Sequence, residues 1–240
     1  MKLQDFIESI FIEPLLKFVN KFITISKTSA SKKKWKEVSQ KGEFNFHKSS
    51  EWRNTSDFMD KTIKLFKSFG FNHEDYKGKT VLDLGAGSKL RSKFFHGARL
   101  IVIEPMADDC IREIPWCDLN DAEKVYSTPA EEYIEKLEEK VDFVVSINVL
   151  DHCYNFKDIV GNIHKYLKKG GLAFLSFDAH FVTNKMHPLI LTDKICTKIF
   201  EEIGFEIQRK SKGFTTEIRQ LNEKDTYGHG SYCLNYWLIK

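Results

Sequence analysis

Val81-Leu82-Asp83-Leu84-Gly85-Ala86-Gly87 decides how the chain is read. Its apolar half is a buried strand. Its end is a turn in which Gly85 and Gly87, lacking a Cβ, let the backbone bend sharply and a ligand come close. A helix is expected over residues 88–95, with its N-terminal amides facing the same ligand. Strand, glycine turn and helix suit any nucleotide. Asp83 narrows the field, because a carboxylate at that point repels a pyrophosphate and attracts a ligand that carries an ammonium group.

A dinucleotide-binding turn wants G-x-G-x-x-G/A. Counting from Gly85 gives Gly87 and then Leu90, so the third small residue is missing. The D-x-G-x-G of residues 83–87 resembles instead motif I of the class I S-adenosylmethionine-dependent methyltransferases. The ligand of that family carries an ammonium and a sulfonium. The family often adds a third glycine two residues on, where this chain has Lys89.

Outward from the motif, apolar runs alternate with helical patterns. Strands are expected at residues 79–84, 99–104, 124–127, 141–148 and 172–177. Helices are expected at 130–139, at 159–167 with a stop at Gly170-Gly171, and at 191–203 with a stop at Gly204. Two last strands, 205–209 and 233–239, have only a loop between them. The reading is α/β: a doubly wound, mostly parallel seven-stranded sheet with an antiparallel final hairpin strand. It is similar to the methyltransferase sheet over residues 78–240. Residues 1–77 read as a helical N-terminal extension or cap with a Lys-rich linker. Ile7, Phe11, Leu15, Phe18 and Phe22 form an apolar stripe within 3–26, kinked by Pro14. Residues 27–36, with Lys32-Lys33-Lys34, read as the solvated linker, and 56–69 as a second helix ending at Gly70.

With 240 residues, 42% of them hydrophobic, the chain has room for one α/β domain and an extension. Its net charge is +3; residues 1–50 carry ten lysines against five acids, which leaves the motif-bearing remainder net negative. That is a thin electrostatic footprint, so nucleic acid is not the expected partner. Five scattered cysteines without a C-x-x-C exclude a disulfide framework and a zinc ribbon, and fit a cytoplasmic setting. No signal-peptide pattern and no apolar window long enough to span a bilayer is present. The stripe in 3–26 reads first as a cap over an acceptor pocket or a dimer contact, and second as a peripheral membrane helix.

The resemblance implies a set of cofactor residues. Asp83, Gly85, Ala86 and Gly87 form the motif, and Glu104, at the end of the second strand, is placed to accept the ribose hydroxyls. Relatives carry an Asp-Ala-Glu type segment after strand three. Here it is Pro129-Ala130-Glu131, which leaves the Ala130 amide or Glu131 for adenine. Asn148, closing strand four, is the candidate for the methionyl part.

Asn148-Val149-Leu150-Asp151-His152 resembles the E-x-x-E-H of ubiquinone O-methyltransferases and small-RNA 2′-O-methyltransferases, whose acids and histidine can hold a divalent metal. Asn148 replaces the first acid and is a weaker ligand, so a metal is admitted but not expected. His152 otherwise reads as a general base beside Asp151, or as a structural histidine. His187, in Met186-His187-Pro188 where relatives often carry His-Pro, is the second base candidate. His180 is the third, and His229 a loop histidine between two glycines.

The expected activity is transfer of the methyl of S-adenosylmethionine to a small polar acceptor such as a sugar or surface-polymer precursor. Oxygen is preferred, because histidine bases are at hand and the Asn-Pro-Pro-Tyr type motif of amide- and adenine-methylating enzymes is absent after strand four. The alternative is an RNA methyltransferase or RNA-binding module that uses the basic N-terminus. Asp83 and Leu90 disfavour a nicotinamide oxidoreductase.

Overall fold

Asp83 stands in a strand with neighbours on both sides. β1 (Thr80–Leu84) runs parallel to β2 (Arg99–Ile103) and to β4 (Val141–Ile147), with Asp83 opposite Val102 on one side and Val145 on the other. The structure, a computed structural model, describes residues 26–180, 183–213 and 232–240. β3 (Lys124–Tyr126) flanks β2, and β5 (Leu167–Ala179) runs parallel to β4. β7 (Tyr232–Ile239) inserts antiparallel between β5 and β6 (Glu206–Gly213). The order is β3-β2-β1-β4-β5-β7-β6, the doubly wound sheet with an antiparallel final hairpin that the alternation predicts. The chain reverses direction of travel across the sheet between β1 and β4, and a ligand crevice opens at the carboxyl ends of those strands.

Helices cover both faces. α1 (Lys32–Lys34) runs through a π-helical stretch, Trp35–Ser39, into α2 (Gln40–Ser49); α3 (Ser56–Ser68), α4 (Ala107–Glu113), α5 (Phe156–Tyr166) and α6 (Asp193–Ile203) follow. The three longest have side-chain caps: Thr55, Asn155 and Thr192 each accept an amide of the first turn. α5 and α6 pack Phe156, Ile163 and Phe200 against Leu82, Val144 and Tyr236 of one sheet face. α3 packs Phe58, Leu65 and Phe66 against Val81, Phe143 and Phe174 of the other, with Phe94 and Phe95 wedged between. Phe66 stacks on Phe94 at 4.8 Å. Much of the unusual phenylalanine content serves this face, where each fully buried ring is worth about 1.5–3 kcal/mol.

Four local expectations fail, each for a stated reason. Residues 88–95 hold only a 3-10 turn, Arg91–Phe94, because carboxylates take the amides a helix would use: Asp118 accepts from Leu90 N at 2.8 Å and Asp83 from Ser92 N at 3.2 Å. Residues 130–139 hold only Glu135–Leu137 as a 3-10 turn. There Asn162 donates to the Ala130 carbonyl at 2.9 Å, and the Tyr166 hydroxyl accepts the Ile134 amide at 2.8 Å. Gly170-Gly171 does not stop α5. It lies within β5, where the pairing with β4 is irregular, and Gly170 N donates to the Lys240 carbonyl at 2.9 Å. The supposed linker is anchored: Lys27 exchanges two backbone bonds with Ile190, Ala30 N donates to Tyr154 O at 2.7 Å, and the lysines that follow are helical. The stripe of residues 3–26, except Ser26, and His229 lie outside the described residues.

Candidate active site

The crevice begins at the glycine turn. Gly85 and Gly87 both adopt left-handed backbone, with φ +78° and +64°, which favours glycine. Their surroundings demand it as well. A Cβ on Gly85 would lie 2.4 Å from the Val149 methyls, and one on Gly87 would lie 2.2 Å from His47 Cε1. Glu104, 3% exposed, clasps the turn from β2 by accepting from Gly87 N at 2.9 Å and Met106 N at 3.0 Å. Burial pushes Asp83 up to about 6 and Glu104 up to about 7, against the pull of the amides that bond them.

Two hollows open here. The first is lined by Gly85, Gly87, Glu104, Ala130, Glu131, Asn148 and His152. The second is lined by Asp83, Gly85, Ala86, Asn148, Arg53 and Arg91. Glu43, His47, Gly85 and Asn148 border both, so the hollows are two ends of one cleft. Every cofactor residue expected from the sequence therefore faces this cleft. Like Asp83 and Glu104, two more are tied to backbone: Glu131 accepts from Tyr154 N at 2.7 Å and Asn155 N at 3.2 Å, and Asn148 N donates to Ser176 O at 2.7 Å. Asn148 has φ +60°, a conformation that asparagine tolerates better than most side chains. The second hollow sets a carboxylate beside two guanidinium groups, the charge pattern that an amino-acid zwitterion matches.

The sequence reading missed the roof. Trp35, Ser39, Glu43 and His47 recur every fourth residue on one side of the 32–49 helix, from which Trp35, Gln40, Glu43 and His47 line the cleft. The π stretch, in which Gln40 N bonds back to Trp35 O, lies at the start of this stripe. Trp35 Nε1 donates to the His152 carbonyl at 2.8 Å, and Ser39 Oγ to the Lys185 carbonyl at 2.7 Å. The spacing was the available signal, hidden among lysines.

Glu43 brings the roof to the histidines. Its Oε1 lies 2.9 Å from His152 Nδ1. On the other side of that ring, His152 Nε2 is 3.6 Å from Asp151 Oδ2. His180 Nε2 bonds the same oxygen at 2.9 Å, and His187 Nε2 is 3.7 Å from it. Asp151 is 1% exposed. Burial opposes its charge, yet His152, His180 and His187 together hold its carboxyl below the usual range. Burial likewise opposes charge on His152, but Asp151 and Glu43 outweigh it and push that ring up to about 10. His187 goes the other way, down to about 3, through burial and its charged neighbour His152. Asp151 and His152, adjacent in the motif, thus come together with His187 from a separate loop, and His180 joins them.

A carboxylate below a glycine turn, an acid closing the next strand and a cleft at the switch point of this sheet define a class I S-adenosylmethionine-dependent methyltransferase. The profile of a family described as a methyltransferase domain matches residues 52–188, and the chain belongs to that family. No curated protein matches it in sequence. In fold it is similar to a Listeria monocytogenes protein assigned to the S-adenosylmethionine-dependent methyltransferases, with TM-score 0.56 and 15% identity over 73% of this chain and 97% of that one. It is similar to an S-adenosylmethionine-dependent methyltransferase of Mesorhizobium loti, with TM-score 0.56 and 10% identity over 74% and 96%. It also resembles the Burkholderia thailandensis 1,6-didemethyltoxoflavin-N1-methyltransferase, solved with its substrate and S-adenosylhomocysteine, with TM-score 0.50 and 14% identity over 80% and 81%. S-adenosylmethionine is the cofactor, and the cleft fits it: the turn has no space for a Cβ, and acidic and basic groups meet at one end. Among the described residues no helix is long and apolar enough to cross a membrane.

Proposed function

We propose that the enzyme methylates an oxygen of a small polar acceptor, such as a sugar or a surface-polymer precursor. The chain divides at residue 78 into an N-terminal cap and the methyltransferase domain. The observation that carries the reading is the gathering of Asp151, His152, His180, His187 and Glu43 next to the cofactor cleft.

When bound, the cofactor supplies an electrophilic methyl on a sulfonium. The chain orients the two substrates and moves a proton. Asp83 would meet the ammonium, and Arg53 and Arg91 the carboxylate, of the same amino-acid end. Glu104 would accept the ribose hydroxyls, Ala130 and Glu131 would flank the adenine, and Asn148 would meet the methionyl chain. On the acceptor side a hydroxyl would lose its proton as its oxygen forms the C–O bond and the methyl's bond to sulfur breaks, the electron pair of that bond staying on the departing thioether, S-adenosylhomocysteine. An oxygen being alkylated is a strong acid, so the weak acceptors His187 and Asp151 suffice to take that proton, while charged His152 orients the hydroxyl.

The test is a transfer assay with a labelled methyl group and a panel of sugars, other small alcohols, amines and RNA. Label in an ether linkage is the expected result. Label on an amine nitrogen or in RNA sinks the reading.

A further inference from the structure

We propose that Asp151, His152 and His187 bind a divalent transition-metal ion. One ligand atom from each lies within 4.8 Å of the others. His152 Nε2 and His187 Nε2 stand 3.6 and 3.7 Å from Asp151 Oδ2. Those separations are too long for hydrogen bonds. They are close to the roughly 3.3–3.5 Å that separates neighbouring ligands of a tetrahedral ion with bonds of about 2.0–2.2 Å.

The far side of each ring supports the same conclusion. His187 Nδ1 bonds Asn184 Oδ1 at 3.1 Å, and His152 Nδ1 faces Glu43 Oε1 at 2.9 Å as an ion pair without hydrogen-bond alignment. An oxygen on one ring nitrogen fixes the tautomer and aims the other nitrogen, as it does for histidines that hold metals. Two separate segments supply the two oxygens, and both rings end with Nε2 toward one carboxylate. Asp151 Oδ1 is buried and makes no hydrogen bond, and neither does His152 Nε2. A buried carboxylate oxygen without a donor is costly, and an ion held by both oxygens of the carboxylate would satisfy it. His180, bonded to Oδ2 at 2.9 Å, steadies the carboxylate.

Two imidazoles and one carboxylate select zinc, iron or cobalt over magnesium and calcium, and leave coordination positions for water or an acceptor oxygen. His187 supplies from another loop the ligand that Asn148 lacks in the sequence motif. The use of the ion rests on the oxygen-acceptor reading above: His152 would give up its proton on ligation, and the ion would take over from His187, Asp151 and charged His152, holding the acceptor hydroxyl and lowering its pKa, the proton leaving to solvent. Binding of the ion does not rest on that reading.

The full chain, stripped with a chelator, is titrated with Zn2+ by calorimetry and with Co2+ by visible absorption. One site of about micromolar affinity or tighter is expected, with cobalt ligand-field bands. Asp151→Asn and His187→Gln should weaken it at least tenfold. Asn184→Ala keeps all three ligands and should weaken it by roughly 10–100-fold. Should Asp151→Asn fail to fold, the two other variants carry the test. His73→Gln with His96→Gln, which removes a surface pair stacked at 4.5 Å, should leave binding unchanged. No site tighter than about 100 μM, or a site that survives His187→Gln, overturns the proposal. Tight metal binding with transfer to nitrogen would overturn only the oxygen-acceptor reading.

Discussion

The end of the cleft at the glycine turn and the end at the histidines, proposed above to hold cofactor and acceptor respectively, are built in opposite ways. At the cofactor end the acidic side chains are held by backbone: Asp83 by Ser92 N, Glu104 by Gly87 N and Met106 N. These groups are in place once β1 and β2 pair. At the acceptor end the side chains hold one another. Glu43 comes from α2, Asp151 and His152 from the turn after β4, and His180 and His187 from the segment after β5. Such a cluster exists only when distant segments have all docked. Damage to the first should therefore stay local, whereas damage to the second should spread through its members.

The largest expected effect separates the two. Asp151→Asn or His187→Gln should lower turnover by roughly 10²–10⁴-fold while S-adenosylhomocysteine binds within about twofold of wild type, by calorimetry. An equal loss of cofactor affinity would break the division.

The next effects fall on the cofactor end. Glu104→Ala should weaken cofactor binding by about 1.5–3 kcal/mol, roughly 10–100-fold. It should also lower stability by about 1–3 kcal/mol in denaturant titrations, since two buried amides lose their acceptor. Asp83→Ala should cost more than about 1.4 kcal/mol of cofactor affinity, a factor of ten. Unchanged dissociation constants would reduce both acids to backbone clasps.

A pH series sharpens the comparison. Asp83, up to about 6, and Glu104, up to about 7, are both raised by burial. Raised carboxyls contribute stability at low pH that is lost as pH climbs through 6 to 7, so the cofactor-free protein weakens over that window. Cofactor binding has the opposite slope, because it needs both groups charged. Affinity should drop by about tenfold or more between pH 8 and pH 5. A flat profile would mean that neither carboxyl meets the ligand. The smallest effect belongs to the seam between the ends: Trp35→Phe removes the bond to His152 O and should cost about 0.5–1.5 kcal/mol in thermal unfolding.

This division also explains what the sequence could reveal. The strands were legible because apolar runs of the right length have few other uses, and Asp83, Gly85 and Gly87 because one strand and one turn carry them all. Residues 88–95 and 130–139 were not, because remote groups such as Asp118 and Asn162 claim their backbone. Gly170-Gly171 reads locally as a helix stop, and only the distant Lys240 carbonyl makes it part of a strand. At the acceptor end, Asp151-His152 announced itself as a pair, but nothing local tells that Glu43 lies beside it, more than a hundred residues earlier. Arg53 and Arg91 were equally silent, as two of many cations.

Trp35 has one more consequence. It is 5% exposed, lines the cleft, and sits 4.9 Å from Tyr154, whereas Trp52 is 42% exposed. Of the chain's four tryptophans, Trp35 is therefore a built-in fluorophore at the seam of the two ends and Trp52 an indole in contact with solvent, with Trp116 and Trp237 as constant background. Filling the cleft alters the surroundings of Trp35 directly and reaches Trp52 only through Arg53, whose guanidinium lies 5.3 Å from the Trp52 ring. Occupancy can be read optically from the unlabelled protein, and Trp35→Phe supplies the blank.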